Sequence, residues 1–459
     1  MDNRDLDIGP ALENRPVGRF QLLTLALGCL VLLVDGLDYS AVNVGAPSIL
    51  RAFGAERSAM GLVFGWGYFG IFVGSVLFGI IGDKYGRKLG LVLGVLAYSL
   101  PALFTVFATS LEELSVFRFL AGIGIGGVVP NTIALLTETA PKRYRVTFVM
   151  IAFVGYSTGN ASIAQIAAWF IPAYGWSIVF LVAGGLGIAL SLVLAFFLAE
   201  SVPWLAAARP NSPELRRLAA RAAPELRITP DTRVALRRSP NEIHFSLKLL
   251  FSSYRRIATP LLWIAFFAES LTFMTLSAWL AVLLEAAGLS PTQAALTFSY
   301  GAFGAILAIL TVGRLIDRFG PRAAVLFAVL AVTAIVYLGT PGLSPAVITI
   351  VAVVALACAS ATHQSLNGIV GGFYPTIIRG NGVGYATGMG RVSAIVGPVI
   401  VGYLMAAKVP LQEVLFFVAA PDAVVAAACV GLDRLRKSRT AAEDAAALSM
   451  APAVGDQPA

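Results

Sequence analysis

Apolar residues run along this chain in long blocks separated by short polar breaks. Twelve can be marked: 20–44, 57–81, 89–109, 113–136, 147–171 and 176–199, then 257–284, 292–314, 323–340, 345–372, 383–406 and 411–432. A helix needs about 20 apolar residues to cross the hydrocarbon layer, and the blocks match that length. They lack the strict alternation of barrel strands, and their number excludes a single anchor. The pattern predicts an all-α polytopic membrane protein with twelve transmembrane helices. The opening residues, MDNRDLDIGP, have no basic stretch leading into a short, cleavable apolar run, so the first block reads as a span and not as a leader.

The blocks fall into two sets of six. Residues 1–19 are read as a tail, 20–199 as one six-helix half, 257–432 as the other, and 433–459 as a second tail. Between the halves, 200–256 is polar, arginine-rich and interrupted by prolines. It cannot span, and part of it suits an amphipathic helix lying on the membrane face. From Ser438 onward the tail is rich in alanine and small polar residues, and no regular structure is expected there.

Composition agrees with this reading. The chain is 58% hydrophobic and 13% charged, whereas a soluble domain carries about 25% charge. Its net charge of +8 is distributed by topology: 28 of the 33 Lys and Arg fall on the side holding both termini, and only Arg51, Arg57 and Lys408 fall opposite. Positive residues mark the cytoplasmic side, which puts both termini in the cytoplasm and leaves no basic surface patch for nucleic acid. Cys29, Cys358 and Cys429 all lie in apolar blocks and read as small buried hydrophobes, not a disulfide framework.

A repeat divides the chain. GIIGDKYGRK (79–88) and GRLIDRFGPR (313–322) align at a shift of 234, matching Gly79 with Gly313, Asp83 with Asp317, Gly86 with Gly320 and Lys88 with Arg322. Each copy follows the second span of its half, so a duplicated six-helix unit is expected, with a site between the halves near the midplane. Asp83, Arg87 and Lys88, with Asp317 and Arg318 in the second copy, are candidates for a gating latch between halves; the alternative is that they are only topogenic charges. Pro321 stands where the first copy has Arg87, which predicts a weaker second latch.

Ionisable groups at membrane depth are costly and point to function. Asp35 and Asp38 are three residues apart in the first span and share a helix face. Carboxyls that close repel, and a proton on one relieves the repulsion, so the pair is a candidate for proton coupling. Glu269, 234 residues after Asp35, joins them by pseudo-symmetry. Arg118 is a candidate partner for an intramembrane carboxylate or a substrate anion, with a snorkelling position at the outer interface as the alternative; Arg391 is a candidate cation for a substrate carboxylate, with a helix end or a network aspartate as its alternative. Asn131, after Pro130, is expected to face the cavity. His363 and Gln364 in the tenth span and the aromatic residues Tyr39 and Trp279 are further candidates for substrate binding, with Trp66, Tyr156 and Tyr300 as additional possible lining. Glu138, close in sequence to Lys142 and Arg143, suggests a salt-bridged gate on the cytoplasmic side.

These motifs resemble the major facilitator superfamily, and within it the aromatic acid:proton symporters of the 4-hydroxybenzoate transporter type. The broad resemblance rests on GDKYGRK and its echo GRLIDRFGPR. The narrower one rests on DGLD (35–38), RFLAGIGIGGVVPNTIALLTETAPKRYR (118–145) and YPTIIRGNGVGYATGMGRVSAIVGP (374–398). It implies import of a benzoate-like anion with a proton across the bacterial inner membrane. It further implies transport roles for Asp35, Asp38, Asp83, Arg87, Lys88, Arg118, Glu138, Arg143 and Arg391. The chain departs from the family in having Ala281 where a proline often follows the tryptophan of the seventh span, and in carrying Glu269 and His363. Both departures bear on which acid is carried.

No nucleotide loop, metal cluster or nucleophile constellation is present in the sequence. GIGIGG (122–127) lies inside a span with no preceding strand, which excludes a dinucleotide fold. The expectation is therefore a transporter that is not an enzyme, has no cofactor, and meets a small aromatic acid, protons and lipid as a monomer. Efflux of an organic compound and a non-transporting sensor are the rival readings.

Overall fold

The computed structural model describes residues 5–14, 16–210, 212–222, 233–235, 247–252, 254–374 and 376–450. Two six-helix halves make the bundle. The first contains α2 (Arg19–Phe53), α3 (Met60–Tyr85), α4 (Arg87–Phe104), α5 (Leu111–Thr139), α6 (Arg145–Tyr174) and α7 (Ser177–Phe197). The second contains α10 (Arg255–Ala286), α11 (Pro291–Phe319), α12 (Arg322–Leu338), α13 (Pro345–Phe373), α14 (Thr376–Ala406) and α15 (Leu411–Met450). Eleven of these are long and apolar enough to cross a membrane. The twelfth, α12, has 17 residues and is about 25 Å long, close to the thickness of a bilayer core.

The shift of 234 holds well beyond the repeated loop. Gly54 and Gly288, which end α2 and α10, both have positive φ, and so do Gly86 and Gly320 after α3 and α11. At these four turns a side chain would be strained. Ser110 and Ser344 cap α5 and α13 by the same bond, each hydroxyl accepting from the backbone N–H three residues on. The same punctuation therefore folds each half.

Glycines bring helices into direct backbone contact where lipid supplies no hydrophobic drive. A Cβ added at Gly70 or Gly74 of α3 would overlap the carbonyl oxygens of Phe119 and Ile123 in α5. Between the halves, α2 packs on α10, α6 on α11 and α3 on α14. At the α3–α14 crossing a Cβ on Gly61 would lie 2.9 Å from the Gly402 Cα.

The central segment and the tail differ from expectation. In the central segment, α8 (Val202–Ala208) precedes α9 (Pro213–Ala222), and β2 (Arg233–Ala235) pairs in parallel with β1 (Asp5–Asp7). The amphipathic helix exists as α9, but Leu215, Leu218 and Ala222 pack on Ile8, Val202 and Leu205 instead of lying free for lipid. A short helix, α1 (Gly9–Asn14), ties the N-terminal tail down further, with Glu13 paired to Arg145 at 3.1 Å. Residues 438–450 continue α15 to Met450, because the run AAEDAAAL has high helix propensity; residues 451–459 lie outside those described.

Candidate functional site

The first charged cluster sits in the N-terminal half. Asp35 and Asp38 are both fully buried on one face of α2, and Arg118 is buried on α5. Arg118 Nη1 lies 3.5 Å from Asp38 Oδ2, its Nη2 donates to Thr105 Oγ1 at 2.9 Å, and its guanidinium stacks over Phe180 at 4.7 Å. Of the alternatives left open for Arg118, the geometry selects a carboxylate partner and not a snorkelling position. The Asp35 oxygens have no hydrogen-bond partner among the described residues. Asp38, Tyr39, Tyr68 and Arg118 line a cavity of about 40 Å³. Tyr39 and Tyr68 share a hydroxyl contact of 3.0 Å, and Tyr156 packs against Tyr39 with ring centroids 5.9 Å apart.

The second cluster sits in the C-terminal half. His363 Nδ1 on α13 is 2.5 Å from Glu269 Oε2 on α10, and Phe273 stacks on the imidazole at 5.0 Å. Phe273 and Gln364 line a second cavity of about 40 Å³ together with Ser157, Asn160 and Ser360, so this space lies between the halves. The sequence named Glu269 and His363 separately and did not join them. It did not point to Asp422, yet Asp422 of α15 is fully buried one turn on from Val418, whose carbonyl accepts from Thr272 of α10. Arg391 on α14 is partly buried, and among the described residues it has no ion-pair partner.

Several candidates are placed differently from expectation. Asn131 donates to the Phe78 and Gly127 carbonyls at 3.0 and 2.9 Å, so its amide ties α5 to α3 and does not face a cavity. Trp279 is fully buried where α10 meets α14 and α3. Its Nε1 donates to the Pro398 carbonyl at 3.1 Å and its ring meets Phe64 edge-on at 5.5 Å. Trp66 and Tyr300 are about half exposed on the outer surface of the bundle.

On the side of the termini, Arg87 organises the loop after α3. It donates to Asp83 Oδ1 at 2.5 Å and pairs with Glu138 of α5 at 3.3 Å, while Glu138 also accepts from Ser201. Glu138 was expected to engage Lys142 and Arg143; instead Arg143 stacks over Tyr144 at 5.5 Å. The sequence missed Glu200. Its carboxylate accepts from the backbone N–H groups of Arg87 and Lys88 at 2.9 and 3.2 Å, capping the N-terminus of α4, where a negative charge is favoured. Burial nevertheless pushes the Glu200 carboxyl above its ordinary range, against the opposing pull of those N–H groups. Lys88 lines a groove beside Glu200 and Trp204. In the second copy Arg322 pairs with Asp433, which Lys437 also reaches at 3.3 Å. Arg318 stacks over Phe319 at 5.3 Å, and the side chain of Asp317 lies outside the described residues. Among the described residues, the charges expected to latch the halves together pair within each half in this conformation.

Bonds that do cross between the halves lie at mid-depth or toward the opposite face. Tyr39 donates to Met274 Sδ at 3.0 Å, Tyr68 to the Met274 carbonyl at 3.3 Å, and Ser299 to the Ala161 carbonyl at 2.9 Å. Arg51 and Glu285, at the far ends of α2 and α10, pair at 2.9 Å. The available signal for this pair was the repeat itself, since the two positions are 234 apart.

Twelve helices in two matched halves, with charged side chains buried in each half and polar groups lining the space between them, define a multi-pass membrane transporter and not an enzyme. The chain belongs to the Major Facilitator Superfamily, whose family model matches residues 28–302 and 262–455. It is 33% identical to the gallate transporter of Pseudomonas putida over 434 residues, covering 94% of this chain and 96% of that one. It is 30% identical to the 4-hydroxybenzoate transporter PcaK of Acinetobacter baylyi over 427 residues, covering 92% and 93%. Among solved structures, a bacterial homologue of the human lysosomal transporter Spinster superposes with a TM-score of 0.68 at 16% identity, covering 92% of this chain and 98% of that one. The nucleoside transporter NupG gives 0.66 at 14% identity, covering 89% and 99%.

Proposed function

We propose that the protein takes up an aromatic carboxylate together with protons across the bacterial inner membrane, by alternating access, with both termini in the cytoplasm. The substrate class is supported by relatives named for gallate, 4-hydroxybenzoate and benzoate. The observation that carries proton coupling is the Asp35–Asp38–Arg118 cluster. Two carboxyls and one guanidinium are buried together, and one carboxyl lacks a counter-charge. A buried carboxylate without a partner is costly, so a proton on this cluster removes the charge that opposes its passage between conformations.

The conformation described is closed on the side remote from the termini, where Arg51 with Glu285, Tyr68 with Met274 and Phe64 with Trp279 join the halves. In the proposed orientation it faces the cytoplasm. Arg391, lacking an ion-pair partner among the described residues, is assigned to the substrate carboxylate, with Gln364, Tyr39 and His363 about the aromatic ring. The assembly of Asp83, Arg87, Lys88 and Glu138 is assigned to closing the cytoplasmic side when the halves rock together.

The test is uptake of labelled 4-hydroxybenzoate, gallate and benzoate into vesicles holding the purified protein, with the interior made alkaline. Accumulation above the external concentration, abolished by a protonophore and by Asp35→Asn or Asp38→Asn, is expected. Equal uptake with and without the pH gradient removes the symport reading. Extrusion driven by an opposite gradient replaces uptake with export.

A further inference from the structure

The C-terminal half holds a second group of buried ionisable side chains that the helix α2 cluster does not explain. Glu269 is fully buried on α10. One carboxyl oxygen meets His363 at 2.5 Å, and the other has no hydrogen-bond partner among the described residues. Asp422 of α15 is also fully buried, and neither of its oxygens is hydrogen-bonded among those residues. Thr272, one turn on from Glu269, lies beside Asp422, but its hydroxyl donates to the Val418 carbonyl at 2.9 Å. Glu269 and Asp422 therefore each stand one turn from the Thr272–Val418 bond that ties α10 to α15, with His363 against Glu269. His363 keeps 19% of its side chain exposed while Glu269 keeps 1%, and Phe273, stacked on the imidazole, lines the space between the halves.

The other elements packed on α10 bring few charges to this point. Arg391 of α14 follows Gly390, which packs against Ser270, and no ion pair joins it to Glu269 among the described residues. On α2, Asp38 is engaged by Arg118. Asp433 of α15 pairs with Lys437 near the terminal end. Among the described residues the two carboxyls and the imidazole thus have only each other as charged partners, with the buried Cys429 thiol of α15 also facing Asp422.

We propose that Glu269, His363 and Asp422 form a second proton-holding centre, in which Glu269 and Asp422 share one proton and His363 passes it to and from the cavity between the halves. This deepens the symport reading by giving each half its own proton site. Carboxyls buried one turn either way from a single α10–α15 contact titrate as one coupled unit when they interact, and an imidazole stacked on the cavity-lining Phe273 is the side chain suited to relay a proton near neutral pH. Only a proton moves: the imidazole accepts it at one ring nitrogen and releases the other to the carboxyl, with no change of oxidation state.

The experiment is an infrared pH titration of the intact protein in lipid vesicles, without substrate, following the protonated-carboxyl stretch. A titrating component should be lost in Glu269→Gln and in Asp422→Asn, each checked for a native elution profile, and retained in Asp35→Asn. His363→Gln should keep the component but slow its deuterium exchange at least tenfold after transfer to heavy water. Persistence of the component in either folded carboxyl variant overturns the shared proton, and an unchanged exchange rate in His363→Gln overturns the relay. Should one carboxyl variant fail to fold, the other decides. Because no substrate is present, this result stands apart from the uptake assay: pH-independent uptake would leave the centre intact, and a silent titration would leave symport intact.

Discussion

The Asp38–Arg118 pair offers a direct measure of what a buried charge costs in this bundle. The two charges are 3.5 Å apart, with side chains 0% and 4% exposed. At an effective dielectric of about 20, that separation corresponds to about 5 kcal/mol of attraction. Desolvation of both ions offsets much of it, so the pair as a whole stabilises little. Removing one member is different, because the survivor stays desolvated and loses its partner; about 3–5 kcal/mol is then lost. Arg118 also donates to Thr105 and stacks on Phe180, so the single loss from Arg118→Leu includes more than the ion pair. A double-mutant cycle separates these contributions. Arg118→Leu, Asp38→Leu and the double variant should be unfolded by denaturant in mixed micelles. Each single change should be severe, and the double should be closer to wild type than the sum by at least about 2 kcal/mol. Losses that simply add would show that the two groups do not interact, and the account of the cluster would fail.

Three further outcomes are expected. Gly74→Ala drives a Cβ into the Ile123 carbonyl; a backbone atom yields poorly, so about 1–3 kcal/mol or more of stability should be lost, read as a lower midpoint in a thermal aggregation assay. Arg51→Glu should open the side remote from the termini, raising thiol labelling of a cysteine placed at Val42, and the exchanged pair Arg51→Glu with Glu285→Arg should restore wild-type labelling; no rescue would assign the pair to the surface alone. Glu138→Gln weakens the hold on Arg87 without removing its Asp83 contact, so substrate turnover should fall several-fold while binding affinity stays within about twofold; unchanged turnover would make the assembly purely structural.

Span number, the halves and the repeat were legible because each is written in local signals: apolar length, glycine turns and Lys/Arg asymmetry. The matched positive φ of Gly86 and Gly320 follows from the aligned loops. Partner choice was not legible, because it depends on how neighbouring helices rotate about their axes. Glu138 is near Arg143 in sequence, yet the turn from α3 into α4 delivers Arg87 to it across 51 residues. Asn131 was read as polar and therefore cavity-facing, but two carbonyls of α5 and α3 claim its amide. Glu200 sits at the edge of a polar segment, and nothing local shows that α4 places its first N–H groups there. Nothing local marks Asp422 in the last helix, and only the packing of α15 on α10 brings it near Thr272 and Glu269.

Arg51 and Glu285 are counterparts under the shift that relates the two halves, and they face each other across it. Were this protein assembled from two identical six-helix chains, the same residue would occupy both places and would meet its own like charge, Arg against Arg or Glu against Glu. An attractive clasp on the symmetry axis is open only to a fused gene whose copies have drifted apart, so asymmetry at these two codons is itself part of how the gate holds shut.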